Sequence, residues 1–247
     1  MNVAVGRTTM TDKTVSFSPG SVTRVLIFIA TALTIASVAG QAAKLGWGIQ
    51  RAGGLIPGFN LDGEANFPTW YQSASLGVCA GLLALVATAT KRTKKRGAGL
   101  WRLLALIFLG FSIDELTSVH EMLSRPLRSS LHLSNWLYQG WVIPGALFVI
   151  FMVVSYWRFL TELPPKIRRL CIIAGGLYVG GALGMEIVGG HYVVRYGVEH
   201  MNWVLCTTVE EGMEMAGVIV FIHALLTYLG QLSVSLHVKN PSVRDPG

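Results

Sequence analysis

Six apolar runs constrain the fold of this 247-residue chain more than any other feature of its sequence. Each run is about 20 residues long, enough for a helix to cross the roughly 30 Å hydrocarbon core of a bilayer. Only 13% of the residues are charged, against roughly 25% in soluble domains. The sequence therefore predicts an all-α integral membrane protein, a bundle of about six transmembrane helices. The predicted spans are residues 22–40, 73–90, 99–121, 137–159, 168–189 and 203–229.

A single membrane domain is predicted over residues 21–230, between two polar segments. Residues 1–20 are rich in Ser and Thr, and residues 231–247 contain "NPSVRDPG", so both segments are predicted to be loose tails. The first apolar run has a second interpretation as a cleaved signal peptide, because Ser37 and Ala39 are small residues of the kind that a signal peptidase prefers. The polar leader before this run is long for that role, which favours an uncleaved helix.

Basic residues are distributed unevenly between the two sides of the predicted bundle. When the N-terminus is placed in the cytoplasm, fifteen of the twenty Lys and Arg fall in cytoplasmic segments, including "KRTKKR" at 91–96 and "KIRR" at 166–169. The positive-inside rule therefore favours cytoplasmic N- and C-termini. Topology and anionic lipid head groups also explain the net charge of +7, so the predicted partner is the lipid bilayer and not nucleic acid.

Tryptophan positions agree with this topology, because Trp is enriched at membrane interfaces. Near the predicted outer interface lie Trp47, Trp70, Trp136, Trp141 and Trp203, and near the inner one lie Trp101 and Trp157.

Acidic residues show the opposite bias. Of the thirteen Asp and Glu, only Asp12, Glu162 and Asp245 fall on the predicted cytoplasmic side. Acidic residues contribute little to membrane orientation, so topology does not explain this bias. The remaining ten lie in outer loops or outer halves of spans: Asp62, Glu64, Asp114, Glu115, Glu121, Glu186, Glu199, Glu210, Glu211 and Glu214.

Helical spacing predicts that many of these acids share common faces, because residues three, four and seven apart lie on one side of a helix. In the third predicted span, the polar face comprises Asp114, Thr117, Ser118 and Glu121, flanked by Glu115 and His120. In the sixth predicted span, it comprises Thr207, Glu210, Glu211 and Glu214. Glu186 lies near the outer end of the fifth span, so three helices bring carboxylates to a similar depth.

No Lys or Arg lies in the outer halves of these three spans. Several carboxylates packed together at low dielectric must be protonated, hydrated or bound to a cation, and ionisable residues at membrane depth indicate a functional site. We therefore predict a carboxylate and histidine pit that faces the outer side. Its predicted ligands for a divalent metal ion are Asp114, Glu115, His120, Glu186, Glu211 and Glu214. Its predicted catalytic residues are Glu210, Glu211 and Asp114, and its predicted mouth comprises Asp62, Glu64 and Glu121.

Each of these acids, taken singly, also has a structural interpretation. Glu121 and Glu186 are explained as interface residues that face water. Glu210 and Glu211 are explained as residues in the first turns of a helix, whose dipole favours anions. The joint arrangement on three helices favours a functional site.

Small residues predict one close helix contact. In the fifth predicted span, Gly176, Gly180 and Gly184 recur every four residues in "GGLYVGGALG", and such a strip lets a neighbouring helix approach closely. The three cysteines lie inside predicted spans without metal-ligand spacing and are predicted to pack in the bundle. His191 and His200 are outer-loop candidates for supporting the pit.

Four motifs resemble those of a family of uncharacterised bacterial multi-pass inner-membrane proteins. They are "LDGEANFPTW" at 61–70, "SIDELTSVHE" at 112–121, "GALGMEIVGG" at 181–190 and "EEGMEMAG" at 210–217. The resemblance implies a location in the bacterial inner membrane and emphasises the same acidic residues, but it implies no activity.

Three functions remain open from the sequence. The first is a divalent-metal-dependent membrane enzyme that acts on a lipid or polyprenyl-type substrate, with a bound metal activating water and a Glu as general base. The second is a proton- or cation-coupled transporter or channel. The apolar inner halves of the acidic spans count against an open pore. The third is a non-catalytic sensor or accessory subunit.

Overall fold

The computed structural model describes residues 18–93, 96–133 and 135–232 of the chain. All regular secondary structure in these residues is helical. The α-helices are α1 (Pro19–Trp47), α2 (Leu55–Phe59), α3 (Phe67–Arg92), α4 (Ala98–Thr117), α5 (Val119–Leu131), α6 (Val142–Glu162), α7 (Pro165–Val179), α8 (Glu186–Tyr196) and α9 (Met201–Gln231). A π-helical turn, Gly180–Met185, joins α7 to α8, and short 3₁₀ turns lie at Ala52–Gly54 and Asn135–Leu137.

Five helical segments are long and apolar enough to cross a membrane, namely α1, α3, α6, the segment Pro165–Tyr196 and α9. The pair α4 and α5 makes a sixth if it is counted as one broken span. The prediction of a helical bundle with about six such segments is therefore confirmed. The predicted tails at 1–20 and 231–247 lie outside the described residues, apart from residues 18–20 and 231–232.

Two helix starts follow from their capping residues. Ser18 accepts a hydrogen bond from the backbone N–H of Ser21 at the start of α1, and Asn66 accepts one from the backbone N–H of Thr69 at the start of α3. Each cap satisfies an amide that has no partner within its helix. Pro68 lies in the first turn of α3, where its missing N–H costs nothing.

The third predicted span, 99–121, is wrong at its C-terminal end. α4 ends at Thr117, Ser118 adopts the left-handed conformation at φ 49° and ψ 38°, and α5 leaves at an angle of 76°. The carboxylate of Asp114 accepts a hydrogen bond from the backbone N–H of His120 over 3.1 Å and so caps the start of α5. The predicted polar stripe from Asp114 to Glu121 is therefore broken by the bend.

Helix α9 lies at the centre of the bundle, packed against α1, α3, α7 and α8, while α3 pairs with α4. Around the start of α4 and the end of α9, an apolar core forms on Trp101, whose ring lies 4.8 Å from that of Phe159 and 5.6 Å from that of Tyr228. We call this end of the bundle the core end. Only 2% of Trp101 is exposed, so this residue does not form part of an exposed aromatic belt.

The other end carries the loop between α1 and α3, and we call it the loop end. The loop is attached to the helices by side chains: the Ser37 hydroxyl accepts a hydrogen bond from the backbone N–H of Leu61 over 3.0 Å, and the indole N–H of Trp203 donates to Asp62 over 3.0 Å. Trp203 is therefore buried beneath the loop and does not form part of an exposed aromatic belt.

The close contact between α7 and α9 uses glycines other than those predicted. Gly176 and Gly184 have open space at the position of a Cβ atom, whereas a Cβ on Gly181 would lie 2.8 Å from the carbonyl oxygen of Glu210. From α9, Gly217 faces the backbone of α7, where a Cβ would lie 2.8 Å from the amide nitrogen of Tyr178. Of the predicted strip, Gly180 alone contacts α9, because the π-helical turn departs from the regular four-residue spacing assumed in the prediction.

Candidate functional site

The carboxyl groups predicted to form a pit come from three elements that meet around α9. Glu115 lies in the last turn of α4, Glu186 is the first residue of α8, and Glu210, Glu211 and Glu214 lie in α9. Each interacts electrostatically with at least one of the others. We refer to these five side chains as the carboxyl cluster.

Glu186 and Glu210 are direct neighbours within the cluster. Only 8% of Glu210 is exposed, and Glu186 has a fully buried Oε1 atom without a hydrogen-bond partner among the described residues. The pair meets because the π-helical turn approaches α9 at Gly181, which leaves no room for a Cβ beside the Glu210 carbonyl. The close glycine contact thus brings two acidic side chains together.

Glu211 and Glu214 extend the cluster toward α4 and α3. Both interact with Glu115, and Glu214 also faces Gln72 and Tyr178. The Gln72 amide is buried, and both of its polar atoms lack a hydrogen-bond partner among the described residues. A buried amide without partners is costly. This side of the cluster is therefore suited to accept a further polar group or a proton-bearing carboxyl.

No basic side chain is available from the helices that carry the cluster. The sequence contains no Lys or Arg at residues 67–90, 103–117, 170–194 or 201–231. The five carboxyl groups are therefore not paired with a cation from these segments.

Asp114 and His120 form a separate pair at the edge of the cluster. Nδ1 of the His120 imidazole lies 2.6 Å from Oδ2 of Asp114. The other carboxylate oxygen of Asp114 accepts a hydrogen bond from the backbone N–H of His120. The ring packs edge-on against Trp141, with a centroid distance of 4.8 Å. His120 also interacts with Glu186 and Glu121. Asp114 thus fixes both the backbone and the ring of His120.

The three residues predicted at the mouth lie at the loop end. Glu64 interacts with Glu121, Glu115 and Glu211, and all three mouth residues are exposed. The surrounding protein partly desolvates the carboxyl group of Asp62, and this desolvation raises the pKa of Asp62. The Trp203 hydrogen bond lowers this pKa, Glu64 raises it and Lys44 lowers it, each by less than desolvation does.

A polar cavity of about 90 Å³ lies beside Asp62, between α1, the loop and α9. It is lined by Lys44, Gln41 and Thr207, among others. Thr207 precedes Glu210 and Glu211 by about one turn of α9. The cavity therefore lies at the loop end of α9, about one turn before the first cluster residues of this helix.

The predicted metal ligands do not converge on a common point. Within the described residues, no group of three or more His, Cys, Asp or Glu side chains is arranged to hold a metal ion. The carboxyl groups are close enough to influence one another electrostatically, but they are not arranged as a ligand shell.

Two polar neighbours of the cluster, Gln72 and Tyr178, are not among the site residues predicted from the sequence. Tyr178 lies within the predicted span 168–189, and Gln72 lies directly before the predicted span 73–90, in the polar stretch "TWYQSAS". The two histidines predicted in outer loops instead belong to helices, because His191 lies within α8 and His200 is the N-cap of α9. The ring of His191 stacks on Trp136 at 4.3 Å, and Nδ1 of His200 accepts the Asn202 amide over 3.1 Å at the start of α9.

Comparison with known proteins identifies a family for this chain. A family model described as "Domain of unknown function (DUF8692)" matches residues 26–229. No curated protein and no solved structure shows significant similarity to the chain. The match covers every element from α1 to α9 that contributes to the carboxyl cluster and its mouth.

Proposed function

Because this chain belongs to the DUF8692 family, which is described only as a domain of unknown function, we propose its function from its own geometry. We propose that it is a multi-pass protein of the bacterial inner membrane that works as a proton-coupled carrier. In this proposal, the carboxyl cluster binds and releases protons at the loop end, which faces the outer side.

Exposed apolar side chains support the membrane placement. Phe28 on α1 is 74% exposed, and Phe151 and Val154 on α6 are 62% and 73% exposed. Large exposed apolar surfaces mark contacts with a membrane or another protein. The concentration of Lys and Arg on the segments around the core end supports cytoplasmic termini.

The observation that carries the proposal is the neighbouring pair Glu186 and Glu210 inside a cluster of five carboxyl groups. Two carboxylates in a low-dielectric site repel each other, so at least one of them is favoured in its neutral, protonated form. The helices that carry the cluster have no Lys or Arg at this depth to neutralise the pair. A proton is the cation that such a pair binds without a metal ligand shell.

The two ends of the bundle differ in the way a carrier requires. At the loop end, a polar cavity lies beside Asp62, and the mouth residues Asp62 and Glu64 interact electrostatically with Glu211. At the core end, Trp101, Phe159 and Tyr228 fill the space between helices. A carrier opens its site to one side at a time, so we interpret this arrangement as the state that is open at the loop end.

Infrared spectroscopy of the protein in lipid bilayers tests the proposal. Protonated carboxyl groups give a carbonyl stretching band that ionised carboxylates lack. We expect a pH-dependent band in the wild type that is reduced in Glu210→Gln and unchanged in the control Glu162→Gln, because Glu162 lies at the core end. Equal spectra for all three proteins would contradict the proposal.

A flux measurement tests the carrier function itself. Proteoliposomes that contain a pH-sensitive dye are given an outward potassium gradient and valinomycin. We expect proton entry that is faster with the wild type than with Glu210→Gln. If wild type and Glu210→Gln admit protons at equal rates while the wild type shows the infrared band, the cluster binds protons but the protein does not carry them across the membrane.

A membrane enzyme is the second candidate, and the Asp114–His120 pair is the observation that favours it. A carboxylate that orients an imidazole is suited to general acid–base catalysis, with Glu210 and Glu211 as further acid–base candidates and a lipid or polyprenyl-type substrate. Lipid extracts from cells that produce wild type or His120→Ala test this candidate by mass spectrometry. A lipid whose amount follows the wild type alone would support the enzyme, and identical profiles would count against it.

A further inference from the structure

Helix α5 lies across the loop end of the bundle. It leaves α4 at 76° after the left-handed Ser118, and Asp114 caps its first turn. Its 13 residues are too few to cross a bilayer alone, since a span needs about 20. The helix therefore has an orientation and a length that differ from those of the long apolar helices.

The two sides of α5 differ in polarity. At 100° per residue, Val119, Met122 and Leu123 fall on one side, and they are 50%, 69% and 47% exposed. Glu121, Arg125 and Arg128 fall on the opposite side. A third, narrow side of α5 packs against the rest of the protein. On this side Ser124 is buried, and its backbone lies close to Gly140. The apolar side is thus left uncovered by the described part of the chain.

The apolar side of α5 continues an exposed apolar strip on α4. Leu109, Ile113 and Leu116 are 47%, 55% and 51% exposed, and Val119 follows them directly after the bend. The exposed apolar surface of α4 therefore continues onto α5 after the bend.

Two arginines lie on the polar side of α5. The Arg128 guanidinium is held over the ring of Tyr138, 4.3 Å from its centroid. Arg125 is exposed one turn earlier. An amphipathic helix with basic residues on its polar side is typical of helices that lie in a membrane interface and bind anionic lipids.

Exposed tryptophans mark the level of the interface independently. Trp47 at the end of α1, Trp70 at the start of α3 and Trp136 after α5 all lie at the loop end, and they are 77%, 60% and 51% exposed. Trp side chains concentrate at the head-group level of a bilayer. α5 lies at the same end of the bundle as these three residues.

We propose that α5 is an interfacial helix whose apolar side inserts between lipids while Arg125 and Arg128 bind the phosphate of an anionic phospholipid. The inference rests on the membrane placement in the proposed function but not on proton coupling. Val119, Met122 and Leu123 are then covered by acyl chains, which removes them from water.

Spin labels test the position of α5. Single cysteines replace Met122, Glu121 or Val154 in a chain without its three native cysteines, and the labelled proteins are placed in nanodiscs of phosphatidylcholine and phosphatidylglycerol. We expect the Met122→Cys label to collide with oxygen, which partitions into lipid, and the Glu121→Cys label, which is exposed on the opposite side of α5, to collide with a water-soluble nickel chelate. The Val154→Cys label on α6 is the control for a lipid-facing span.

The outcomes separate the two proposals. A Met122→Cys label reached by nickel, or by neither reagent, together with a lipid-exposed Val154→Cys label, would overturn the interfacial helix and retain the membrane placement. A Val154→Cys label reached by nickel would overturn the membrane placement and, with it, the interfacial helix.

Binding of spin-labelled phosphatidylglycerol tests the arginines. Because each basic residue near a membrane surface contributes about a fivefold gain in binding, Arg125→Gln and Arg128→Gln should each weaken the preference for phosphatidylglycerol over phosphatidylcholine by about that factor. Arg195→Gln, at the same end of the bundle but on α8, is the matched control and should leave the preference unchanged. Equal losses in all three variants, or no loss in the α5 variants, would overturn the proposed head-group site.

Discussion

A Cβ atom on Gly181 would lie 2.8 Å from the carbonyl oxygen of Glu210. This contact between the π-helical turn and α9 brings Glu186 beside Glu210, so the packing of a glycine determines the geometry of this acidic pair. Backbone-to-backbone approach of this kind leaves no flexible side chain that can move aside.

Gly181→Ala should therefore destabilise the bundle by about 1–3 kcal/mol through overpacking. Gly176→Ala is the control, because no atom lies within 4 Å of its Cβ position and Ala favours a helix over Gly by roughly 1 kcal/mol. Thermal unfolding in detergent measures both variants. A Gly181→Ala protein as stable as Gly176→Ala would show that α7 and α9 do not approach as closely as described.

Glu186→Gln and Glu210→Gln should have non-additive effects on stability. Side chains in contact show interaction energies of about 0.5–3 kcal/mol in double-mutant cycles, and neutralising either member relieves the same repulsion. The distant pair Glu210→Gln and Glu162→Gln should be additive and is the control. Additivity of Glu186→Gln and Glu210→Gln would indicate that the two acids are unconnected.

Asp62 should reduce the stability of the protein as pH rises. Because the pKa of Asp62 is raised in the folded protein, the folded state binds its proton more tightly than the unfolded state does. Stability is then greatest below the ordinary pKa of Asp and falls as pH rises through the folded value. The difference in melting temperature between wild type and Asp62→Asn, followed from acidic to neutral pH, measures this effect. A difference that is independent of pH would contradict the raised pKa.

Elemental analysis by mass spectrometry distinguishes the proton-coupled carrier from the metal-dependent enzyme. We expect wild type and Glu211→Gln, both purified without chelators, to contain the same sub-stoichiometric metal, because the described ligands do not converge. A stoichiometric metal that is lost in Glu211→Gln would restore the metal site predicted from the sequence.

A reporter fused after Asn240 should be cytoplasmic. The fusion point follows α9 in the chain, and the basic residues around the core end favour the cytoplasmic side. A fusion in the loop between α1 and α3, after Gly53, should report the opposite side. Reversed activities of the two fusions would invert the predicted placement of the mouth and the carboxyl cluster.

Prediction from the sequence succeeded where the signal is a local property of the chain. Apolar length located the helical segments, and spacing identified acids in α9 that interact electrostatically in the folded chain. It failed for the stripe from Asp114 to Glu121, because a side chain six residues away captures the His120 amide and stabilises a bend that helical periodicity does not contain.

The sequence by itself determined the class of fold, since a run of about 20 apolar residues requires no knowledge of its neighbours to be recognised as a possible span. It also determined that several acids lie on helices without basic partners. Only the tertiary structure decided that Glu186 meets Glu210, that Gln72 and Tyr178 face Glu214, and that α5 turns across the loop end. These relationships depend on which helices pack together and on the rotation of each helix about its axis. Both are determined by close contacts between residues far apart in the chain, such as Gly181 and Glu210.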